Sequence, residues 1–223
     1  MKLGIAGFGF MGKAFMHSLS MIRNYYKISN LDFEVKGVTT GSKYSADSID
    51  LKRYGIGQVY ESYDDMLTDE QISSVYIASP NSFHFEQIIS AIKCSKHILC
   101  DKPFVLSSTQ SQKILEMGRS DLVQNMMFEY RNFPAVRCMK EIIKAGKIGE
   151  IIHFKMSYLH GSYLDVERPI SWRLMEGGGA LNDLAPHIID LCHFLLGQIK
   201  NITGFKKNFI KKRPTTSSSN SKK

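Results

Sequence analysis

Three glycines, Gly7, Gly9 and Gly12, follow an apolar run, Leu3–Ala6, with the spacing Gly-x-Gly-x-x-Gly. That order suits pyrophosphate chemistry: Gly7 permits a tight turn, Gly9 lets the backbone approach a phosphate, and Gly12 allows the next helix to pack closely with its N-terminal N–H groups toward the anion. The intervening Phe8, Phe10 and Met11 belong to the same loop and are expected beside the bound group. The spacing alone is weak; its position between a predicted strand and a predicted helix, residues 13–21, gives it meaning. Two more polar segments follow predicted strands, Ser79-Pro80-Asn81 with His84 after Val75–Ala78, and Asp101-Lys102-Pro103 after His97–Leu99. In a parallel sheet both lie at the carboxyl edge, where the nicotinamide half of a dinucleotide would rest.

The elements needed to place these loops are legible as alternation. Predicted strands Leu3–Ala6, Phe33–Thr39, Val75–Ala78, His97–Leu99 and Leu122–Phe128 are interleaved with helical segments, among them Phe83–Lys93 and Thr109–Met117. This rhythm predicts an α/β doubly wound parallel sheet, a Rossmann unit, over residues 1–123. A second α/β domain is expected over 124–209. It would hold a helix Pro134–Ala145, an alternating strand Ile151–Leu159, a glycine-rich loop Gly177-Gly178-Gly179, a nearly all-apolar helix Ile188–Leu196 capped by Gly197, and a strand Ile199–Phe209. Two strands and two helices are too few to close a core, so the sheet of this domain reads as incomplete. Residues 210–223 form a basic polar tail.

The net charge of +8 is concentrated at that end. Lys206, Lys207, Lys211, Lys212, Arg213, Lys222 and Lys223 occur without an intervening acid, leaving the rest of the chain almost neutral. Ser, Thr and Lys richness from Thr215 onward reads as a solvated tail. No aromatic residue interleaves with its final charges, which speaks against a nucleic-acid partner. Cys94, Cys100, Cys138 and Cys192 lack the spacing of a zinc site and read as reduced thiols, with no metal expected. No run approaches the ~20 apolar residues of a membrane span, and glycines interrupt the only segment that could begin a secretory signal. The expected location is therefore the cytoplasm, without a membrane partner.

Taken with Trp172-Arg173 and with Gly177-Gly178-Gly179 running on to Asp183 and His187, the ordered segments Tyr130-Arg131-Asn132-Phe133-Pro134 and Gly146-Lys147-Ile148-Gly149-Glu150 resemble the Gfo/Idh/MocA family of NAD(P)-dependent sugar and cyclitol oxidoreductases. The resemblance covers about residues 1–205. It implies an N-terminal Rossmann domain and a C-terminal domain on an open antiparallel sheet. It also implies that Lys102 touches nicotinamide and substrate, that Asp183 and His187 complete the catalytic group, and that Trp172 and Arg173 flank the cofactor. Asp101 replaces the family's usual Glu. The chemistry is consistent with that assignment: oxidising a secondary alcohol needs a base near neutrality, for which His187 is suited, and a cation for the developing alkoxide, which Lys102 provides. Asp183, one turn earlier, can orient the imidazole, bind a neighbouring hydroxyl, or cap a helix that Pro186 suggests starts around Ala185. Arg131, Tyr158 and His160 are candidates for the substrate pocket.

An NAD-preferring unit ends its second strand with a carboxylate for the ribose hydroxyls. Here Thr40-Gly41-Ser42-Lys43 carries none, and Ser42 and Lys43 could donate to a 2′-phosphate, so NADP(H) is favoured and NAD(H) left open. The expected partner is a sugar, sugar derivative or polyol. Homo-oligomer contacts that use the second sheet would be compromised if that sheet is truncated. A non-catalytic dinucleotide-binding module, or an inactive remnant of such an enzyme, stands as the alternative, distinguished by lack of turnover.

Overall fold

Strand β1 (Lys2–Ala6) is short, apolar and buried along nearly its whole length, which suits only a position inside a sheet covered on both faces. The computed structural model describes residues 1–26, 33–41, 47, 49–161 and 163–215, and it places β1 there. With β2 (Glu34–Thr39), β3 (Gln58–Val59), β4 (Ser74–Ile77), β5 (His97–Asp101) and β6 (Gln124–Met127) it forms one six-stranded sheet. The order is β3-β2-β1-β4-β5-β6 and every pairing is parallel. The order reverses between β1 and β4, so a crevice opens beyond their carboxyl ends.

Alternation along each strand feeds two cores. From β4, Val75 and Ile77 enter a cluster with Met66, Ile72, Ile88 and Ile98, while Tyr76 points to the opposite cluster with Ile5, Val38 and Met16. Phe15 of helix α1 (Phe10–Tyr25) lies on the Tyr76 ring at 4.3 Å between centroids. Each fully buried branched side chain of this kind contributes about 1.5–3 kcal/mol relative to exposure, which accounts for strands that read as continuous apolar runs. Helices α2 (Leu51–Tyr54), α3 (Tyr63–Thr68), α4 (His84–Lys93) and α5 (Ser108–Glu116) complete the first unit. Side chains cap three helix starts: Asp50 for α2, Ser62 for α3 and Ser107 for α5 each accept a backbone N–H. Helix α1 begins at Gly9 with no side-chain cap and no acid in its first turn.

The first unit runs from Met1 to Met127 and the second from Phe128 to Lys223. The division falls later than the expected boundary at 123 because β6 pairs with β5 from Ile98↔Gln124 to Asp101↔Met127 and belongs to the parallel sheet. The second unit holds a 3-10 turn Glu129–Asn132, helix α6 (Pro134–Lys144), a 3-10 turn Trp172–Leu174, and helices α7 (Gly179–Asp183) and α8 (Ala185–Leu196). Proline at the start of α6 and of α8 is tolerated because the first-turn N–H groups have no intrahelical acceptor.

The open antiparallel sheet expected here is not shown: among the described residues no strand is assigned after Met127. Segments 151–159 and 199–209, expected as strands, have no assigned ladder, and Ile152, Leu159 and Phe205 are each more than 90% exposed. Alternation marks a segment fit for a strand, but only a paired neighbour supplies the backbone hydrogen bonds. Also among the described residues, no helix is long and apolar enough to cross a membrane.

Candidate active site

The glycine loop has three separate geometries. Gly7 adopts φ +93°, and a Cβ there would stand 2.7 Å from the Ala78 carbonyl carbon and oxygen and from the Ser79 nitrogen. Its N–H donates to Thr39 O at 3.0 Å, so the turn is tied to the ends of both β2 and β4. A Cβ at Gly12 would collide with the Gly7 carbonyl oxygen, whereas a Cβ at Gly9 meets nothing within 4 Å. Gly7 and Gly12 therefore allow the turn and its helix to close, and Gly9 leaves open space beside an uncapped helix start. A cradle that is open, close to backbone and without a carboxylate fits a pyrophosphate. Phe8 points inward and meets Tyr54 edge-on at 5.1 Å, while Phe10 is 80% exposed and Met11 partly so. Thr40 and Gly41 close β2; Ser42 and Lys43 lie outside the described residues.

Beyond β4, the Ser79 hydroxyl donates to Gln87 Oε1 at 2.5 Å, Pro80 turns the chain, and Asn81 is buried. Beyond β5, buried Asp101 accepts the Lys102 N–H on Oδ1 at 2.8 Å, and the Lys102–Pro103 peptide is cis. His84, expected among the cofactor contacts, is completely enclosed. Its Nδ1 lies 2.7 Å from Pro103 O and its Nε2 3.0 Å from Ser79 O, so the imidazole joins the two loops instead of facing the crevice. Burial pushes its pKa below the ordinary histidine value, and the two carbonyls, which favour the charged ring, only partly oppose this.

The sign follows from that direction: the folded state holds the ring neutral, so stability is full above the unfolded value of about 6.5 and is lost as pH falls below it. Melting temperature is expected to drop between pH 7 and pH 5, and His84→Gln should melt lower at neutral pH with a flatter acid slope. Parallel slopes for the two proteins would contradict this.

In the second unit, Asp183 ends α7 and His187 stands in the first turn of α8, whose N-cap, Leu184, makes no side-chain cap. Asp183 Oδ2 lies 3.9 Å from Arg173 Nε. The Arg173 guanidinium covers the Trp172 ring at 4.3 Å. His187 is buried, with Tyr130 stacked on its face at 4.6 Å and Tyr158 edge-on at 6.0 Å. The two tyrosine hydroxyls share a hydrogen bond of 2.8 Å, which, with some burial, pushes the Tyr130 phenol up to about 12 and keeps it protonated.

Arg131, a substrate-pocket candidate, instead grips buried Asp190 of α8 with both Nε and Nη2, the former at 2.6 Å from Oδ2. Its guanidinium also faces the Phe128 and Phe194 rings at 5.4 and 5.6 Å. It thereby anchors the helix that carries His187. His160 is exposed, its ring 6.3 Å from Tyr163. Glu129 and Asp190 were not foreseen. Asp190, an acid within an all-apolar helix face, was the available signal that a buried cation must pair with it.

Comparison with known proteins adds the context of relatives. Residues 1–128 match the family model described as GFO_IDH_MocA, oxidoreductase family, NAD-binding Rossmann fold, and residues 136–220 match the GFO/IDH/MocA C-terminal domain. Levoglucosan dehydrogenase of Pseudarthrobacter phenanthrenivorans is 31% identical over 97% of this chain, which spans 56% of that protein. Glucose-6-phosphate 3-dehydrogenase of Bacillus subtilis is 29% identical over 87% of the chain and 53% of its own length. A solved levoglucosan dehydrogenase in complex with NADH and levoglucosan superposes with a TM-score of 0.91 at 30% identity, covering 97% of this chain and 59% of the other.

Proposed function

The chain belongs to the Gfo/Idh/MocA oxidoreductase family, and we propose that it moves a hydride between a nicotinamide dinucleotide and a carbinol carbon of a sugar, sugar derivative or polyol. The observation that carries the reading is the glycine turn at the carboxyl edge of β1, with open space at Gly9 and an uncapped α1 start, on the same sheet edge as Lys102. Gly7, Gly9, Gly12, Ser79, Pro80, Asn81 and the backbone around Asp101 would hold the dinucleotide. The bound nicotinamide supplies the two-electron acceptor or donor.

The protein's own groups manage the proton and the charge. His187 takes the hydroxyl proton during oxidation and returns it during reduction. Lys102, its backbone nitrogen tied to Asp101, stabilises the oxygen as negative charge develops. Asp183 orients a substrate hydroxyl or the imidazole, and Trp172 with Arg173 flanks the cofactor. Relatives named for levoglucosan and glucose 6-phosphate support a cyclic polyhydroxylated substrate.

For the nucleotide, the acid-free end of β2, Thr39-Thr40-Gly41, supports NADP(H), since no carboxylate repels a 2′-phosphate. Parallel fluorescence titrations with NADPH and NADH test this. NADPH is expected to bind about tenfold more tightly, the worth of one charge-assisted contact of ~1.4 kcal/mol. Tighter NADH binding, the cofactor of the solved levoglucosan dehydrogenase, would overturn the NADP(H) preference and leave the dinucleotide reading intact.

A further inference from the structure

We propose that Glu129 is a positioning residue that raises the proton affinity of His187 and so sets the pH at which the substrate hydroxyl can be deprotonated. The inference rests on the reading of His187 as proton carrier. Glu129 opens the 3-10 turn that follows β6, and its Oε1 lies 4.0 Å from His187 Nε2, with the imidazole side chain 6% exposed and the carboxylate side chain 40% exposed. The other carboxylate oxygen, Oε2, is buried and has no hydrogen-bond partner. A buried, unsatisfied carboxylate oxygen is costly unless a positive charge forms beside it.

The other acids on the segments around the imidazole each face an arginine. Asp183, one turn before His187, faces Arg173 at 3.9 Å. Asp190, one turn after it, is held by Arg131. Tyr130 covers the ring face and Tyr158 its edge, and their hydroxyls bond to each other. Among the described ion pairs, Glu129 faces His187 and no arginine. At this separation a carboxylate favours the imidazolium, and partial exclusion of water strengthens the effect.

The consequence for the reaction is a balanced one. In oxidation the carbinol hydride leaves with its electron pair for the nicotinamide and the hydroxyl proton passes to neutral His187. The imidazolium so formed is stabilised by the Glu129 carboxylate, and in reduction the same proton returns to the carbonyl oxygen. Glu129 exchanges no proton in either direction.

The test uses the full chain and two readouts. In Glu129→Gln, isosteric and uncharged, the imidazole C–H resonance of His187 is expected to titrate about one pH unit lower than in the wild type. The acidic limb of kcat/KM for sugar oxidation should move to lower pH by the same amount, while cofactor KM is unchanged. Glu129→Asp keeps the charge and should restore most of the wild-type limb. An unchanged His187 titration in a Glu129→Gln protein that melts like the wild type overturns the proposal. Should that variant melt early, a folded Glu129→Asp whose His187 titrates about one pH unit below the wild type despite the retained charge would overturn it equally. A shifted titration in a chain that turns over no sugar would instead sustain the Glu129–His187 coupling and remove the enzymatic reading beneath it.

Discussion

Replacing Lys102 by methionine is expected to lower kcat/KM for sugar oxidation by about 100- to 1,000-fold, the usual cost of removing one preorganised stabiliser of a developing oxyanion. The expectation follows from how firmly the lysine backbone is held. Asp101 Oδ1 accepts its N–H at 2.8 Å, and the carbonyl of the next residue, Pro103, sits 2.7 Å from buried His84. A backbone held this way fixes where the lysine side chain starts at the end of a parallel strand. Methionine is unbranched and one atom shorter and removes the charge, so melting temperature should hardly change, and dinucleotide affinity should fall far less than turnover. Lys102→Arg should recover only part of the rate, because a planar fork does not present the point charge of an ammonium. A loss smaller than about fivefold, worth less than ~1 kcal/mol of transition-state stabilisation, would mean that Lys102 lies outside the chemistry.

Gly7→Ala is expected to abolish dinucleotide binding and to destabilise the first unit by about 1–3 kcal/mol. The residue sits at φ +93°, and the added methyl would stand 2.7 Å from backbone atoms of Ala78 and Ser79, which cannot swing aside as a side chain can. Strain and collision act together where β1 meets β4, so the carboxyl edges must separate and the glycine turn must open. Gly9→Ala separates folding from binding: its methyl meets no protein atom within 4 Å, so melting should stay near the wild type while the phosphate approach is obstructed. Calorimetric melts and NADPH titrations on both variants provide the check. Tight binding by Gly9→Ala would show that the phosphates do not approach that turn.

The first unit was legible because its signals are local. Each strand of the β1-β4-β5 centre is an apolar run, and each loop beyond it carries polar residues of distinctive spacing. Strand β3, two residues long, escaped because two residues carry no period. The strand pattern of 151–159 and 199–209 predicts an antiparallel sheet, but among the described residues no ladder joins these segments, since alternation specifies a face and not a partner. His84 was assigned to the cofactor by its place after Asn81, whereas its enclosure by Ser79 and Pro103 depends on the approach of two loops. The surroundings of His187 were hidden for the same reason. Tyr130, Tyr158 and Glu129 reach it from segments 29 to 58 residues away in sequence, and aromatic stacking at that separation has no spacing to read. For Arg131, a substrate-pocket candidate, the pairing with the lone acid in the apolar stretch of α8 likewise has no sequence spacing to read.

The most direct measurement is the appearance of reduced nicotinamide when the purified 223-residue chain is mixed with oxidised NADP or NAD and a panel of cyclic sugars and polyols, levoglucosan and glucose 6-phosphate among them, with Lys102→Met alongside. The account predicts turnover on at least one of these substrates and its near loss in the variant. Saturable dinucleotide binding with no turnover on any of them would contradict it and identify the chain as a non-catalytic dinucleotide-binding module.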